Sequence, residues 1–326
     1  MRITQPSAHQ AALSTISLLI LLSTGCKESD SGRNPPGGQT STSQPGDRSP
    51  AGPASVNWKL VDQEMGRPGK QELGGVHRYS MPRSDLTVTS QGVKIKPALS
   101  LGSWLAFKST GGNTAVAMGD LVLTEQEYSR VIARLSQGGV TPSAVHKHLP
   151  AHSPALWWTH IEARGNAVNV AETVRAALAL TGTPAAQPAP GQPAPVSIDT
   201  TAISQALGHP GKMNGGVYQV SIPRSETIRA SGIEVPGAMG TATALNFQPT
   251  GGGRAAINGD FVMKAEEVKA VVEALESSGI QVVALHNHML DEEPRLFFLH
   301  FWANDDAVKL ARGLRSALDK MHLASS

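Results

Sequence analysis

Three histidines occur twice in the same frame: His146, His148 and His160, then His286, His288 and His300, each set reading H-x-H-x11-H. Three imidazoles that leave a fourth position open suit zinc or a similar divalent ion, with ligand distances of about 2.0 to 2.1 Å. On a strand, residues two apart share a face, so His146 and His148 are expected to point the same way, as are His286 and His288. Hairpins centred on Ser153 and Glu293 would set His160 opposite His146 and His300 opposite His286. Cross-strand Cβ atoms there stand about 4.5 to 5.5 Å apart, within reach of one ion. The plainer alternative is half-buried rings satisfied by backbone carbonyls. Three rings kept at matched positions, twice, favour a metal or small polar ligand. Trp158, Phe298 and Trp302 fall on the same strand faces, as the wall of a ligand pocket or as a core layer.

The catalytic set is unknown, and further candidates are few. Glu292, in the turn between the histidine strands and matched by His152, would serve as an extra ligand or a base. Asp120 and Asp260, each following a glycine beside a strand, could act as a base or as the carboxylate that orients a histidine, against the default of a turn or bulge. Arg83 and Arg224, each in Pro-Arg-Ser, could bind a carboxylate or phosphate through a bidentate fork, against the default of a solvated arginine ending a strand. The H-x-H-x3-E string from His286 to Glu292 resembles the first half of a cupin metal motif. No second half follows, and the flanking helices argue against a jelly roll.

The elements that position these residues come in two copies. Residues 56–182 and 198–322 align at an offset of about 140, pairing Pro82-Arg83-Ser84 with Pro223-Arg224-Ser225, Gly119-Asp120 with Gly259-Asp260, and Gly139 to His160 with Gly279 to His300. Each copy opens with a short helix, near Val56–Met65 and Thr200–Leu207, the latter with Asp199 as N-cap. Strands are expected at Val76–Met81 and Val217–Ile222, Trp104–Lys108 and Ala244–Gln248, and, after a Gly-Gly turn, Ala115–Val122 and Ala255–Met263. Tyr128, Val131, Ile132 and Leu135, and Val268, Val271, Val272 and Leu275, show the i, i+3, i+4, i+7 spacing of a helix with one apolar face. Thr124 and Glu127 form a capping-box pattern at one start, and Gly139 and Gly279 mark the ends. Two strands and a final helix, Ala167–Leu180 or Asp305–Leu318, complete each copy. The fold class is therefore α+β: two tandem homologous domains, each an antiparallel sheet with amphipathic helices packed on one face. Residues 183–197 are a Pro-rich semi-rigid linker.

The chain has 326 residues, a net charge of +2 with both signs interspersed, and 17% charged residues, which excludes a dedicated nucleic-acid partner. Its one cysteine excludes an internal disulfide or a cysteine-based zinc site. That cysteine, Cys26, ends the run Leu22-Ser23-Thr24-Gly25-Cys26 behind a basic start and an apolar stretch over 11–22. This resembles the lipobox of an exported bacterial lipoprotein, with Ser23 where a leucine is usual. The resemblance implies removal of signal residues 1–25, acylation of Cys26 as the membrane anchor, and a polar tether over 26–54 that holds the folded part on the order of 30 Å from the bilayer. Lys27, in place of an aspartate, leans to the outer membrane if the cell is Gram-negative.

The Gly-Val-Tyr/His strands, the Pro-Arg-Ser turns, Asn258-Gly259-Asp260 and above all Ala284 to Leu290 (ALHNHML) followed by Pro294 to Trp302 (PRLFFLHFW) resemble the LppY and LpqO lipoprotein family, a domain of unknown function. The resemblance spans both copies, the second more closely, since Lys147, Trp157 and Thr159 of the first depart from it. It implies a lipid-anchored envelope protein and no particular reaction. The leading expectation is an envelope lipoprotein binding a metal, such as zinc, or a small polar ligand at the histidines. Its partners would be the lipid bilayer and an envelope component. Its rivals are a metal-dependent hydrolase using metal-bound water, and a structural envelope protein without a metal.

Overall fold

The computed structural model describes residues 55–185 and 197–324. The expected signal segment and tether, with Cys26, and most of the Pro-rich linker lie outside the described residues. The first repeat runs α1 (Trp58–Met65), β1 (Lys70–Glu72), β2 (Val76–Pro82), β3 (Val88–Ser90), β4 (Val93–Ile95), α2 (Pro97–Ser100), β5 (Gly102–Gly111), β6 (Thr114–Thr124), α3 (Glu125–Gln137), β7 (Thr141–His146), β8 (His152–Ser153), β9 (Leu156–Asn166) and α4 (Ala167–Leu178). The second runs α5 (Thr200–Leu207), β10 (Lys212–Asn214), β11 (Val217–Pro223), β12 (Arg229–Ala230), β13 (Ile233–Glu234), a 3-10 turn (Gly237–Met239), β14 (Ala242–Gly251), β15 (Arg254–Met263), α6 (Ala265–Ser277), β16 (Gln281–His286), β17 (Glu292–Glu293), β18 (Phe297–Asp306) and α7 (Ala307–Leu318). Among the described residues no helix is long and apolar enough to cross a membrane.

Each repeat builds one six-stranded antiparallel sheet, in the order β1-β2-β5-β6-β9-β7 and β10-β11-β14-β15-β18-β16. The helices form where caps and apolar spacing place them. Asp199 accepts from the Ala202 amide at 2.9 Å, and Thr124 and Glu127 close a reciprocal capping box. In the second repeat Lys264 stands where Thr124 does in the first, so the side-chain half of the box is lost. Glu267 still accepts from the Lys264 amide at 2.7 Å. The apolar faces of α3 and α4 bury Val131, Leu135, Val170, Val174 and Ala177 against Tyr79, Leu105, Phe107, Leu121 and Ile161 of the first sheet. The second repeat does the same with Val271, Leu275, Leu310 and Leu314 against Phe247, Ile257, Phe261, Leu299 and Phe301. The α+β arrangement with helices on one face of each sheet is the one the sequence predicts.

The other face of each sheet is covered by the other repeat. Val76, Ala106, Val116 and Met118 of the first pack with Ile228, Val235, Met239, Met289, Leu296 and Phe298 of the second. Val88, Ile95, Leu99, Leu149 and Trp158 pack in turn with Val217, Ala256 and Trp302. The two repeats fall in one compact unit, helices outside and sheets face to face. Matched positions make matched contacts: Arg78 donates to the Ala238 carbonyl at 2.5 Å, and Gln219 donates to the Ala98 carbonyl at 2.9 Å. Residues 78 and 219, like 98 and 238, are equivalents in the duplication, so the interface has approximate two-fold symmetry. Burial on both faces also explains why the strands outrun the sequence reading. Residues 115–123 of β6 are all buried and show no alternation to mark the strand's limits.

Arg83 and Arg224 correct the sequence reading on both alternatives. Neither is solvated, and neither is free for an anion: they are 1% and 5% exposed. Arg83 forks onto Glu127 at 2.8 and 3.0 Å, reaches the Val122 carbonyl at 2.6 Å and pairs with Asp85. Arg224 repeats the set with Glu267 at 2.7 and 3.0 Å, the Val262 carbonyl at 2.7 Å and Glu226. Each arginine thereby ties the end of β2 or β11 to the start of the next long helix through the same glutamate that caps that helix. Removing one partner of such a pair strands a buried charge. Arg224→Met is expected to lower unfolding stability by about 3 to 5 kcal/mol, read by urea denaturation. A loss comparable to that of an exposed ion pair would contradict this role.

Candidate functional site

The inward faces of the two sheets are apolar at both ends and polar in the middle. On β6 and β15 the residues facing the opposite sheet include Asp120, and Asn258 and Asp260; on β9 and β18 they include His160 and His300. The register sets Asp120 directly opposite His160 and Asp260 directly opposite His300. The two aspartates thus occupy strand interiors, not the turn or bulge expected as the default. A glycine precedes each because a Cβ at Gly119 would lie 2.6 Å from the Trp104 carbonyl oxygen, and one at Gly259 only 1.8 Å from that of Ala244.

The hairpin register differs from the expected one by two residues. His160 pairs with Ala144, and His146 with Trp158; His300 pairs with Ala284, and His286 with Phe298. An irregularity between Pro142 and Ala144, and between Val282 and Ala284, shifts each edge strand. His148 and His288 lie two residues past the ends of β7 and β16. Within a repeat the rings stay close, with centroids of His146 and His160 4.7 Å apart and those of His286 and His300 4.9 Å apart.

The closest contacts between histidine rings join the repeats. His146 stacks on His286 at 3.9 Å, His148 lies 3.7 Å from His300, and His160 lies 3.6 Å from His288. The first pair sits on the approximate two-fold axis, and the axis exchanges the other two with each other. All six histidines therefore form one joint cluster. Backbone clamps hold it from both sides, with Asn258 donating to the His148 carbonyl and Ser143 to the His288 carbonyl, each at 2.5 Å. Phe298 stacks on His288 at 3.3 Å and Trp158 packs by His148 at 5.2 Å, so the aromatic residues act as a wall around the rings.

Three groups of histidines bring ligand nitrogens within 4.8 Å of one another: His146, His148 and His300; His146, His160 and His286; and His286, His288 and His300. Any two of these groups share a residue, so one can be filled at a time. The ring nitrogens are poorly satisfied by the protein. Both nitrogens of His146 and the Nε2 atoms of His148, His160 and His288 are buried without a hydrogen-bond partner, as is Oδ1 of Asp120. Asp120 Oδ2 is 3.3 Å from His148 Nε2 and 3.9 Å from His146 Nε2, close enough for attraction but not aligned for a hydrogen bond. A buried polar atom without a partner costs about 1 to 3 kcal/mol, and so many on one ligand type fit a site made for a cation.

One proton in the cluster can be placed from geometry. His286 Nδ1 faces the Asn287 carbonyl at 3.0 Å and must donate, so Nε2 of the neutral ring accepts. Its neighbour at 2.8 Å, His300 Nε2, is then a donor. His300 Nδ1 donates as well, to the Gly259 carbonyl at 3.0 Å, with Asp260 Oδ1 beside it at 2.9 Å as an ion-pair contact outside the line of that bond. His300 is therefore imidazolium here. Burial opposes that charge, but Asp260, the Gly259 carbonyl and Asp120 outweigh it and raise its pKa. Asp260 is held well below the usual carboxylate range, since His300 outweighs burial. Burial pushes Asp120 up to about 6. The remaining rings go the other way: burial, then neighbouring imidazoles, hold His146, His148 and His288 well below 6.5, while burial chiefly brings His160 to about 4 and His286 to about 3. Five neutral imidazoles at pH 7 carry five lone pairs, of which that of His286 is engaged by the His300 proton and the other four are available.

Glu292 takes no part in any of the three groups. It is buried in β17, accepts from the Leu296 amide at 3.0 Å and pairs with Arg295 at 3.0 Å. His152 does the same work in the first repeat, its Nε2 accepting from the Leu156 amide at 3.1 Å. Both hold the turn that contains a cis-proline, Pro154 or Pro294, and the role of ligand or base expected of Glu292 is corrected to a local structural one. Sequence reasoning missed Asn258 and Ser143, whose partners lie 110 and 145 residues away. It also missed the cavity that reaches the cluster, about 10 Å³ in volume and lined by Trp104, Met118, His160, Glu162, Met239, His288 and Met289 among others.

Fold and site together define a duplicated α+β protein whose repeats share one buried histidine centre. The chain belongs to the family described as Domain of Unknown Function (DUF1259), which matches it at residues 59–180 and 201–320. No curated protein matches. Among solved structures, the chain is similar to a trimeric bacterial microcompartment shell protein PduB (11% identity, 78% of this chain and 89% of that one, TM-score 0.20) and to the double ringed trimeric shell protein MSM0271 from the RMM microcompartment (14%, 64% and 83%, 0.17). A third is EtuB from Clostridium kluyveri (9%, 77% and 90%, 0.18). At these scores the likenesses carry no argument about this chain.

The depressed histidines make a signed prediction for the metal-free protein. Each binds a proton in the unfolded chain near pH 6.5 but in the folded one only at lower pH, so stability falls as pH drops below 6.5 towards about 4. Asp120, raised when folded, contributes with the opposite sign between about 6 and 3.8, as does the raised His300 above 6.5, and the five rings outweigh them below 6.5. Urea midpoints measured from pH 7.5 to 4.5 should decline over that window, and less steeply once His146 and His148 are replaced by alanine. A flat or rising profile would show that the rings are not buried neutral.

Proposed function

We propose that this protein is a lipid-anchored cell-envelope protein that binds a divalent transition metal, such as zinc, at the joint centre formed by His146, His148, His160, His286, His288 and His300. The observation that carries the reading is the set of buried, unpartnered ring nitrogens gathered from both repeats. Packing alone would leave such atoms unsatisfied at considerable cost. A metal would use them, with Asp120 and Asp260 orienting the rings and offsetting its charge. A metal reaching the His286–His300 pair replaces the proton held there, so loading is expected to release acid. The cavity at the cluster has room for a water or a single ion. That supports binding over hydrolysis of a larger substrate.

Elemental analysis of the full-length chain after incubation with zinc, manganese and nickel should find close to one ion per chain. An ion at His146, His160 and His286, the three-histidine group that draws on both pairs, should be lost when either His286 and His288 or His146 and His148 are replaced by alanine. Loss with His286 and His288 only would put the ion at His286, His288 and His300, within one repeat, and loss with His146 and His148 only would put it at His146, His148 and His300, across both. Absence of metal throughout would leave the structural reading.

The envelope assignment is supported by the lipobox-like run ending at Cys26 and by the resemblance to the LppY and LpqO lipoproteins. Labelled palmitate should enter the chain in a bacterial host and should fail to enter Cys26→Ser. Equal labelling of both would sink the anchor.

A further inference from the structure

The duplication supplies an internal control for one end of the histidine centre. His160 and His288 line the small cavity, and the Nε2 of each is buried without a partner in the protein. Three of the other lining residues are methionines from three separate elements: Met118 on β6, Met239 in the 3-10 turn and Met289 after β16. All are buried, at 6%, 3% and 4% exposure. Methionine is a common filler of irregular cores, so its presence alone says little. The symmetric end, at His148 and His300, poses the same packing problem and solves it otherwise.

Position 118 corresponds to Asn258, 239 to Leu99 and 289 to Leu149. The alignment at 239 is fixed by Ser103 and Thr243, whose hydroxyls accept from the equivalent Val122 and Val262 amides. Leu99 and Leu149 lie in one apolar cluster with Trp158, which packs by His148. Leucine therefore fills this space adequately, and the methionines bring thioether sulfur to one end only. Glu162 lines the same cavity, where the equivalent residue at the other end is Trp302. One end of the centre thus gathers two imidazoles, three thioethers and a carboxylate. The other is closed by leucine, tryptophan and asparagine.

We infer that the His160–His288 end is a binding subsite for a soft monovalent cation, copper(I) or silver(I), with Met118, Met239 and Met289 as its thioether ligands and approach. Thioether sulfur is a soft ligand suited to copper(I), whereas zinc is held by imidazole, carboxylate or thiolate. The inference rests on the metal-binding reading above and names the class of ion that one end of the centre takes.

The test uses the full-length chain under anaerobic, reducing conditions. Copper(I) affinity is measured by competition with a chromogenic copper(I) chelator, and zinc affinity by competition with a zinc-chelating dye. Wild type is compared with the triple variant Met118→Leu, Met239→Leu, Met289→Leu, a near volume-conserving change. The variant should lose roughly tenfold or more in copper(I) affinity while zinc stays within about threefold. Unchanged copper(I) affinity with zinc still bound overturns this inference and leaves the metal site standing. Equal losses for both ions show the methionines to be packing, and also overturn it. Failure of the wild type to bind either ion removes both readings. Should the variant not fold, X-ray absorption of the copper(I)-loaded wild type decides: a sulfur shell is expected, and nitrogen and oxygen scatterers alone refute it.

Discussion

Each six-stranded sheet has two faces to bury and only one layer of helices, and everything else in the molecule follows from how the second face is covered. The answer is reciprocal: α2 and the strands before it lie over the second sheet, and the 3-10 turn and its neighbours lie over the first. Apolar burial of this kind, at about 25 cal/mol per Å², is non-directional and would by itself permit many docking angles. The direction comes from polar contacts between the repeats. Gln248 accepts from the Lys96 amide and donates to the Lys94 carbonyl, both at 2.8 Å, pinning the arm of one repeat to the sheet of the other.

Against that apolar frame, six imidazoles in the middle are an electrostatic compromise. A neutral imidazole is far cheaper to bury than a charged one, and burial drives the protons off five of the six. The sixth, His300, keeps its proton because Asp260 Oδ1 lies 2.9 Å from its Nδ1 and the Gly259 carbonyl accepts from it. The cluster is therefore pre-organised for a cation without carrying a large charge of its own. The flanking tryptophans and Phe298 limit water, which strengthens whatever electrostatic interaction the rings make.

The sequence speaks clearly where structure is local. The i, i+3, i+4, i+7 spacing finds α3 and α6, Asp199 and Thr124 mark helix starts, and two-fold repetition identifies the histidines. It speaks poorly where the cause is distant. Gly119-Asp120 reads as a turn because glycine and aspartate favour turns, yet the glycine is there to clear the Trp104 carbonyl in mid-strand. Pro-Arg-Ser reads as a solvated corner because Glu127 lies 44 residues on. The hairpin register goes astray by two residues because an irregularity in an edge strand leaves no trace in residue type. Most of all, nothing in either repeat reveals that its histidines face those of the other, since periodicity reports on a residue's own element and not on a partner 140 positions away.

The position of His146 and His286, stacked on the approximate two-fold axis, bears on where such a protein comes from. One repeat holds half of a centre and one exposed sheet face, so a single-copy ancestor could have completed both only by pairing with itself, and its assembly would have depended on its concentration. Fusion of two copies makes the encounter intramolecular and removes that dependence. It also releases the halves from identity, and a homodimer cannot place thioethers on one side of its axis and leucines at the equivalent place on the other.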